Sequence, residues 1–260
     1  MKTIIKKITT VYLRILTKIV FLRFHPEVIV IAGTYNKTPT KNCLADILSR
    51  FFSVQYPPYS YNTEIGVPLT ILGVTAGKSL SWFKVLFQAT IAALCIRKYP
   101  DKLILELGSD RPGDIDYLLS ILPTPTIAIL TNIAPEYVSN FGSLDNIAKE
   151  FATLTDKLPP TSYLIYNQDD QRLVELAQKS SARLISYAIE AKQADWQIEE
   201  VEKTNHGQNV VINHRDTKIK IHTKHFGRNS IYTILISLAV MDIYNLPVRQ
   251  IDNDCLKFLQ

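Results

Sequence analysis

Short, unbroken apolar runs alternate along the chain with longer segments whose apolar positions recur every three or four residues. The first pattern predicts strands buried on both faces, the second amphipathic helices. Strands are expected at Val28–Ala32, Leu103–Leu107, Ile127–Thr131, Tyr163–Tyr166 and near Leu184–Tyr187. Helices are expected at Lys41–Phe52, Ser81–Lys98, Asp114–Leu122, Leu144–Leu158, Gln171–Ser180 and Ser230–Tyr244. Residues 53–72 read as loop-rich around Pro57-Pro58, and Trp82, Phe83 and Phe87 read as core. From Trp196 the pattern shortens. Trp196–Glu202, Asn209–Asn213 and Lys218–His222 are split by Asn205-His206-Gly207 and Arg215-Asp216, as in an antiparallel meander. The expected fold is α/β: a P-loop-type, mainly parallel sheet flanked by helices, with a small antiparallel meander near the C-terminus.

The first 24 residues stand apart, so the chain divides into 1–24, a basic amphipathic helix, and 25–260, the α/β domain. Ile4, Ile8, Val11, Tyr12, Ile15, Ile19 and Leu22 share one helical face, with Lys2, Lys6, Lys7, Arg14 and Lys18 mostly on the other. Basic residues interrupt the apolar run too often for a membrane span, and no small-residue cleavage site follows it. Two readings are open: peripheral contact with anionic lipid, or packing on the domain or a partner. Packing is preferred, because a soluble core can bury the same stripe.

Composition narrows the function. The 260 residues carry 29 Lys+Arg and 24 Asp+Glu, a net +5. Residues 1–50 alone are +7, which leaves −2 for the rest, so a nucleic-acid binder is not expected. Cys43, Cys95 and Cys255 form neither a disulfide framework nor a metal spacing. They read as buried thiols in a cytoplasmic protein. His206, His214, His222 and His225 read as surface residues on the meander, with no carboxylate or cysteine at ligand spacing.

The first strand runs into Gly33-Thr34-Tyr35-Asn36-Lys37-Thr38 and then a helix. This is a phosphate-binding arrangement: backbone N–H groups hold the anion, lysine reaches the terminal phosphates and the threonine hydroxyl meets Mg²⁺. The strict pattern fails at Asn36, where it has glycine. The stretch Val30–Lys41 resembles the ATP loop of the Mur ligases. Asn62-Thr63-Glu64-Ile65-Gly66-Val67-Pro68-Leu69-Thr70 resembles the Asn-Asn-Glu-Ile-Gly-Val-Pro-Leu-Thr signature of the branch that joins D-alanyl-D-alanine to a UDP-muramoyl tripeptide. Leu105-Glu106-Leu107-Gly108, Thr131-Asn132-Ile133, Phe141-Gly142-Ser143, Asn167-Gln168-Asp169-Asp170 and Gly227-Arg228-Asn229 resemble further family segments in order.

The resemblance implies a ligase of peptidoglycan precursor synthesis that activates a carboxylate as an acyl phosphate for attack by an amine, with ATP and Mg²⁺ as cofactors. It implies Lys37 and Glu106 as catalytic residues and Thr38 and Glu106 at the metal. Gly33, Thr34, Asn36, Lys37, Thr38 and Thr40 would hold the nucleotide, with Asn229 facing adenine. A UDP-muramoyl peptide would be the substrate. The usual N-terminal domain gives way to the basic helix and the chain stops where a C-terminal domain would begin, so a separately encoded domain is an expected partner. Some positions depart from the family. Pro39 replaces a hydroxyl residue, Tyr137 the metal-binding histidine, Phe151 the carbamylated lysine and Arg228 the histidine beside Asn229. These departures leave a second expectation open, a non-catalytic nucleotide-binding or scaffold relative.

Overall fold

The computed structural model describes residues 2–75, 82–215 and 217–247; Ser81, Asp216 and Cys255 lie outside them. The elements run α1 (Lys2–Arg23), β1 (Glu27–Ala32), α2 (Lys37–Leu48), β2 (Val54–Gln55), α3 (Gly66–Ile71), α4 (Trp82–Cys95), β3 (Lys102–Glu106), α5 (Asp114–Leu119) and β4 (Ile127–Leu130). After a 3₁₀ turn at Pro135–Tyr137 come α6 (Val138–Phe141), α7 (Leu144–Thr155), β5 (Tyr163–Asn167), α8 (Gln171–Lys179) and β6 (Arg183–Ala188). The described chain continues through β7 (Trp196–Thr204), β8 (Gly207–His214) and β9 (Thr217–Thr223) to α9 (Arg228–Ile243).

All nine described strands form one sheet in the order β2-β3-β1-β4-β5-β6-β7-β8-β9. Pairing is parallel from β2 through β7 and antiparallel over β7-β8-β9, as expected. The two-residue side-chain period of β1 divides its residues between two cores. Val28, Val30 and Ala32 belong to the core that also takes residues from α1, α3, α4, α5, α7 and α8, while Ile29 and Ile31 belong to the core shared with α2 and α9. Both faces of the central strands β3, β1 and β4 are therefore covered, which explains their nearly unbroken apolar sequence.

Several local expectations are corrected. The second helix starts at Lys37 rather than Lys41. Pro39 fits its first turn, where the N–H groups have no intrahelical acceptor. Residues 53–72 contain β2 and α3. On α4, Val85, Ala89 and Ala93 face the core, whereas Trp82, Phe83 and Phe87 are exposed. Cys43 is buried but Cys95 is exposed. Helix α1 packs on the domain through Leu13, Leu16, Thr17 and Val20, leaving Ile4, Ile8, Val11 and Ile15 in solvent. The apolar stripe expected to pack is thus the outer face.

One buried carboxylate organises the wall of the domain beside the strand ends. Glu150 of α7 accepts hydrogen bonds from the N–H groups of Gly113 (2.8 Å) and Ile115 (2.7 Å) at the start of α5. Carboxylate at a helix N-terminus satisfies donors that the helix itself leaves free. Glu150→Ala is expected to lower stability by about 2–3 kcal/mol, read by urea denaturation. A change well under 1 kcal/mol would show that water caps α5 equally well.

Candidate functional site

Strands β3, β1 and β4 are adjacent and parallel, so their carboxyl ends meet at one edge of the sheet. The chain leaves β1 toward β3 and returns on the other side as β4, and the loop after β1 emerges at that reversal. Crevices for ligands form at such points.

The loop is held by the segment after β4. Thr34 donates its N–H to Asn132 O (3.0 Å), and Tyr35 donates its N–H to Asn132 Oδ1 (3.0 Å). Thr131 Oγ1 donates to Tyr35 O (2.7 Å), and Ala134 N–H donates to Thr34 Oγ1 (3.0 Å). Gly33 takes φ +137°, and a Cβ there would lie 2.0 Å from Thr131 Oγ1. Asn36 takes φ 65°, the left-handed conformation asparagine tolerates. Its side chain points out of the loop, donating to Asn229 O and Thr233 Oγ1, each at 3.2 Å. Replacement of the family's glycine thus ties the loop to α9.

Lys37 is buried, and its Nζ donates to Gly33 O (2.6 Å) and Thr34 O (3.0 Å). Burial lowers its pKa, partly countered by Glu106 and Asp110. Thr38 Oγ1 donates to Glu106 Oε2 at 3.0 Å, and Ser60 Oγ donates to the same oxygen at 3.1 Å. Lys41 Nζ stands 3.0 Å from Glu106 Oε1, with both side chains fully buried. Lys41 also donates to Tyr59 O (3.2 Å), which places the tyrosine-rich segment against the site.

The structure therefore brings Gly33, Thr34, Asn36, Lys37, Thr38 and Glu106 together. Thr40 sits behind these residues. It is fully buried, with its hydroxyl donating to Asn36 O (2.6 Å) and 3.4 Å from Thr233 Oγ1, so it braces the loop from behind. Asn229 and Tyr35 line a cavity of about 410 Å³ beside the loop, with Asn132, Asn167, Arg228 and Tyr232. Its rim is fixed by ionic contacts. Arg228 pairs with Glu190, which raises the guanidinium pKa, and donates to Tyr232 OH at 3.0 Å. Asp169 accepts from the N–H groups of Ile189, Glu190 and Ala191 and from Tyr232 OH. Burial pushes its pKa up, but those donors outweigh it and the pKa ends below the usual value. Asp170 caps α8 through Arg172 N–H and also accepts from Ile133 N–H (2.7 Å).

A second cavity, about 590 Å³, opens beside Gly108, between α1 and α5. The Asn62–Glu64 segment lines it, and Glu64 pairs there with Lys6 at 2.6 Å.

Sequence reasoning did not assign roles to Lys41, Ser60, Asn132 or Thr131. Lys41 had a usable signal: it follows Lys37 by one helical turn on a helix whose other positions there are apolar, and a charge so placed needs a carboxylate. Asn132 and Thr131 are ordinary polar residues after a strand, and their role arises from β4 pairing with β1.

Two further departures have clear placements. Tyr137 sets its ring 5.8 Å from Lys37 Nζ. Burial raises its phenol pKa, with Asp110 and Glu136 adding to the effect, so it stays neutral. Phe151 is fully buried in the core beneath α7. On the meander, His214 stacks on Trp196 with ring centroids 3.8 Å apart, and His222 Nδ1 lies 2.8 Å from Asn209 Oδ1. No cluster of three or more His, Cys, Asp or Glu suited to a metal occurs among the described residues.

The model of the Mur ligase middle domain matches residues 31–241. The chain belongs to this family. The match takes in the Gly33–Thr38 loop, Glu106, the Asn132 clamp and the cavity beside Asn229. Among curated relatives, the UDP-N-acetylmuramoyl-tripeptide–D-alanyl-D-alanine ligase of Mycobacterium leprae is 31% identical over 158 residues, covering 61% of this chain and 26% of that protein. The ligase of the same name from Synechocystis is 28% identical over 218 residues, covering 84% of this chain and 41% of the relative. This Mur-family chain thus spans less than half the length of either. Among solved structures, MurF ligase from Thermotoga maritima in complex with ADP superposes with a TM-score of 0.76 at 21% identity, covering 95% of this chain and 51% of that one. MurF from Acinetobacter baumannii gives a TM-score of 0.73, also at 21% identity, covering 94% and 48%. At these identities the structural likeness establishes the Mur middle-domain fold.

Proposed function

We propose that this chain is the ATP-binding middle domain of a Mur-type ligase acting in peptidoglycan precursor synthesis, of the branch that joins D-alanyl-D-alanine to a UDP-muramoyl tripeptide. The observation that carries the reading is the meeting of Lys37, Thr38 and Glu106 at the carboxyl ends of β1 and β3. The cavity beside Asn229 would take the nucleoside, and the loop would take its phosphates. Lys37 would exchange the Gly33 and Thr34 carbonyls for phosphate oxygens, and the free N–H groups of Lys37 and Thr38 would add to the anion's stabilisation. The cavity beside Gly108 would receive the carboxylate substrate close to the transferred phosphoryl group.

Hydroxyl and carboxylate oxygens are the hard donors that Mg²⁺ prefers, and Thr38 with Glu106 supplies both within 3.0 Å of each other. Bound there with ATP, Mg²⁺ would supply charge neutralisation on the phosphates. A second metal at the family's carbamylated-lysine position does not fit, because Phe151 offers no ligand atom and lies in the core. Around the reaction, the chain's own groups hold anions and orient: Lys37 on phosphate, Thr38 and Glu106 together, and Asn132 keeping the loop in register.

Titration calorimetry with ATP, with and without Mg²⁺, tests the reading. Wild type should bind in a Mg²⁺-dependent way and Lys37→Ala should lose at least tenfold in affinity; no binding by either protein refutes it. The substitutions at Tyr137 and Phe151 favour a second reading, a nucleotide-binding relative without turnover. Intact ATP binding with no Mg²⁺-dependent hydrolysis on a UDP-muramoyl tripeptide and D-alanyl-D-alanine would support it for the isolated chain.

A further inference from the structure

Helices α1 and α4 lie against each other, joined by Tyr12 OH and Thr90 Oγ1 at 2.6 Å and by Arg23 donating to Ala93 O. Each buries one face and leaves a second apolar stripe in solvent. On α1 the stripe runs through Ile8 (65% exposed), Val11 and Ile15; on α4 it runs through Phe83 (87% exposed), Phe87 and Ile91. Twelve of the eighteen exposed large hydrophobic side chains among the described residues belong to these two helices. Apolar exposure is therefore concentrated on one pair of elements, and a patch of this kind marks a surface that is covered in use.

The charge beside the stripes identifies the cover. Helices α1 and α4 together carry seven Lys or Arg and no Asp or Glu. Exposed Lys7, Lys18 and Lys84 make no ion pair among the described residues. The rest of the chain sums to −2, so the molecule is electrically polarised toward this face. Lysines flanking bulky aliphatic and aromatic residues on two helices packed side by side match a bilayer interface: acyl chains would take the stripes and anionic headgroups the lysines. No helix among the described residues is long and apolar enough to cross a membrane, so the contact is lateral. We propose that the α1–α4 face is a peripheral docking surface for anionic lipid bilayers. The proposal does not depend on the nucleotide site, which lies at the strand ends.

The test is flotation of the full 260-residue chain with phosphatidylcholine vesicles, with and without phosphatidylglycerol. Trp82 gives a second readout that needs no variant. It is 49% exposed at the start of α4, while Trp196 is buried, so a blue shift of tryptophan emission on adding vesicles reports insertion at α4. Binding to phosphatidylglycerol vesicles at least tenfold tighter than to phosphatidylcholine alone, with the blue shift, supports the proposal. The triple variant Lys7→Gln, Lys18→Gln, Lys84→Gln should lose about a hundredfold, at about fivefold per cation near an anionic surface. Phe83→Ser with Phe87→Ser should lose at least tenfold on the same vesicles. Absence of flotation and of any emission shift overturns the proposal. So does a dimer in light scattering that Phe87→Glu dissociates without any vesicle binding by wild type, since a second copy would then be the cover.

Discussion

Gly33→Ala is expected to weaken nucleotide binding severely and to lower the melting temperature by roughly 10 °C. The new Cβ would lie 2.0 Å from Thr131 Oγ1 and 3.1 Å from Asn132 N, at a φ of +137° that L-residues with a side chain avoid. Backbone strain costs about 1–3 kcal/mol and forced overlap about 1–3 kcal/mol more. At about 2–4 °C per kcal/mol for a chain of this size, the sum gives the expected shift. The ligand effect follows from the same geometry. The clash is relieved either by moving the loop away from β4, which breaks the bonds from Thr34 and Tyr35 to Asn132, or by turning the Thr131 hydroxyl, which gives up its bond to Tyr35 O. ATP affinity should fall at least a hundredfold in calorimetry. Thr131→Ala in the same chain should recover the overlap part but not the φ part, so the double variant should melt between Gly33→Ala and wild type. Wild-type melting and affinity in Gly33→Ala would mean that the loop does not take this conformation in solution.

Glu106→Ala is the second large effect, and here stability and ligand binding can be separated. Glu106 and Lys41 are both fully buried, and removing one leaves the other an uncompensated charge, at about 3–5 kcal/mol. Glu106→Gln with Lys41→Met removes both charges and should recover most of that loss, because a buried pair replaced by groups of similar volume is often near neutral. Mg²⁺ dependence of ATP binding should not recover, since the carboxylate beside Thr38 is still missing. A double variant that regains both stability and Mg²⁺-dependent binding would assign Glu106 a purely structural role.

The central strands β1, β3 and β4 were legible because each is buried on both faces, which shows as nearly continuous apolar runs. Recognition of the loop rested on residue order, which survives the change to Asn36 because asparagine can take the same left-handed turn. Two things were not legible. Thr9, Thr10 and Thr17 help form the packed face of α1, although they look polar in sequence. Their hydroxyls need no solvent: Thr10 donates to Lys6 O and Thr17 to Arg14 O within the helix. Periodicity therefore counted the larger Ile4–Ile15 stripe as the inner one. On α4, small Ala89 and Ala93 are inside and large Phe83 and Phe87 outside, against the usual reading of size.

The sequence by itself determined the α/β class, the mainly parallel pairing, the phosphate-type loop and the family, because each depends on local pattern or on residue order. The tertiary structure alone decided which face of α1 and of α4 is inside, that Lys41 shares Glu106 with Thr38, and that Asn132 and Thr131 hold the loop. Burial and pairing of this kind depend on which neighbour the fold delivers. That neighbour sits 65 residues away for Lys41 and Glu106 and nearly 100 for the loop and its clamp, beyond anything helical or strand periodicity encodes.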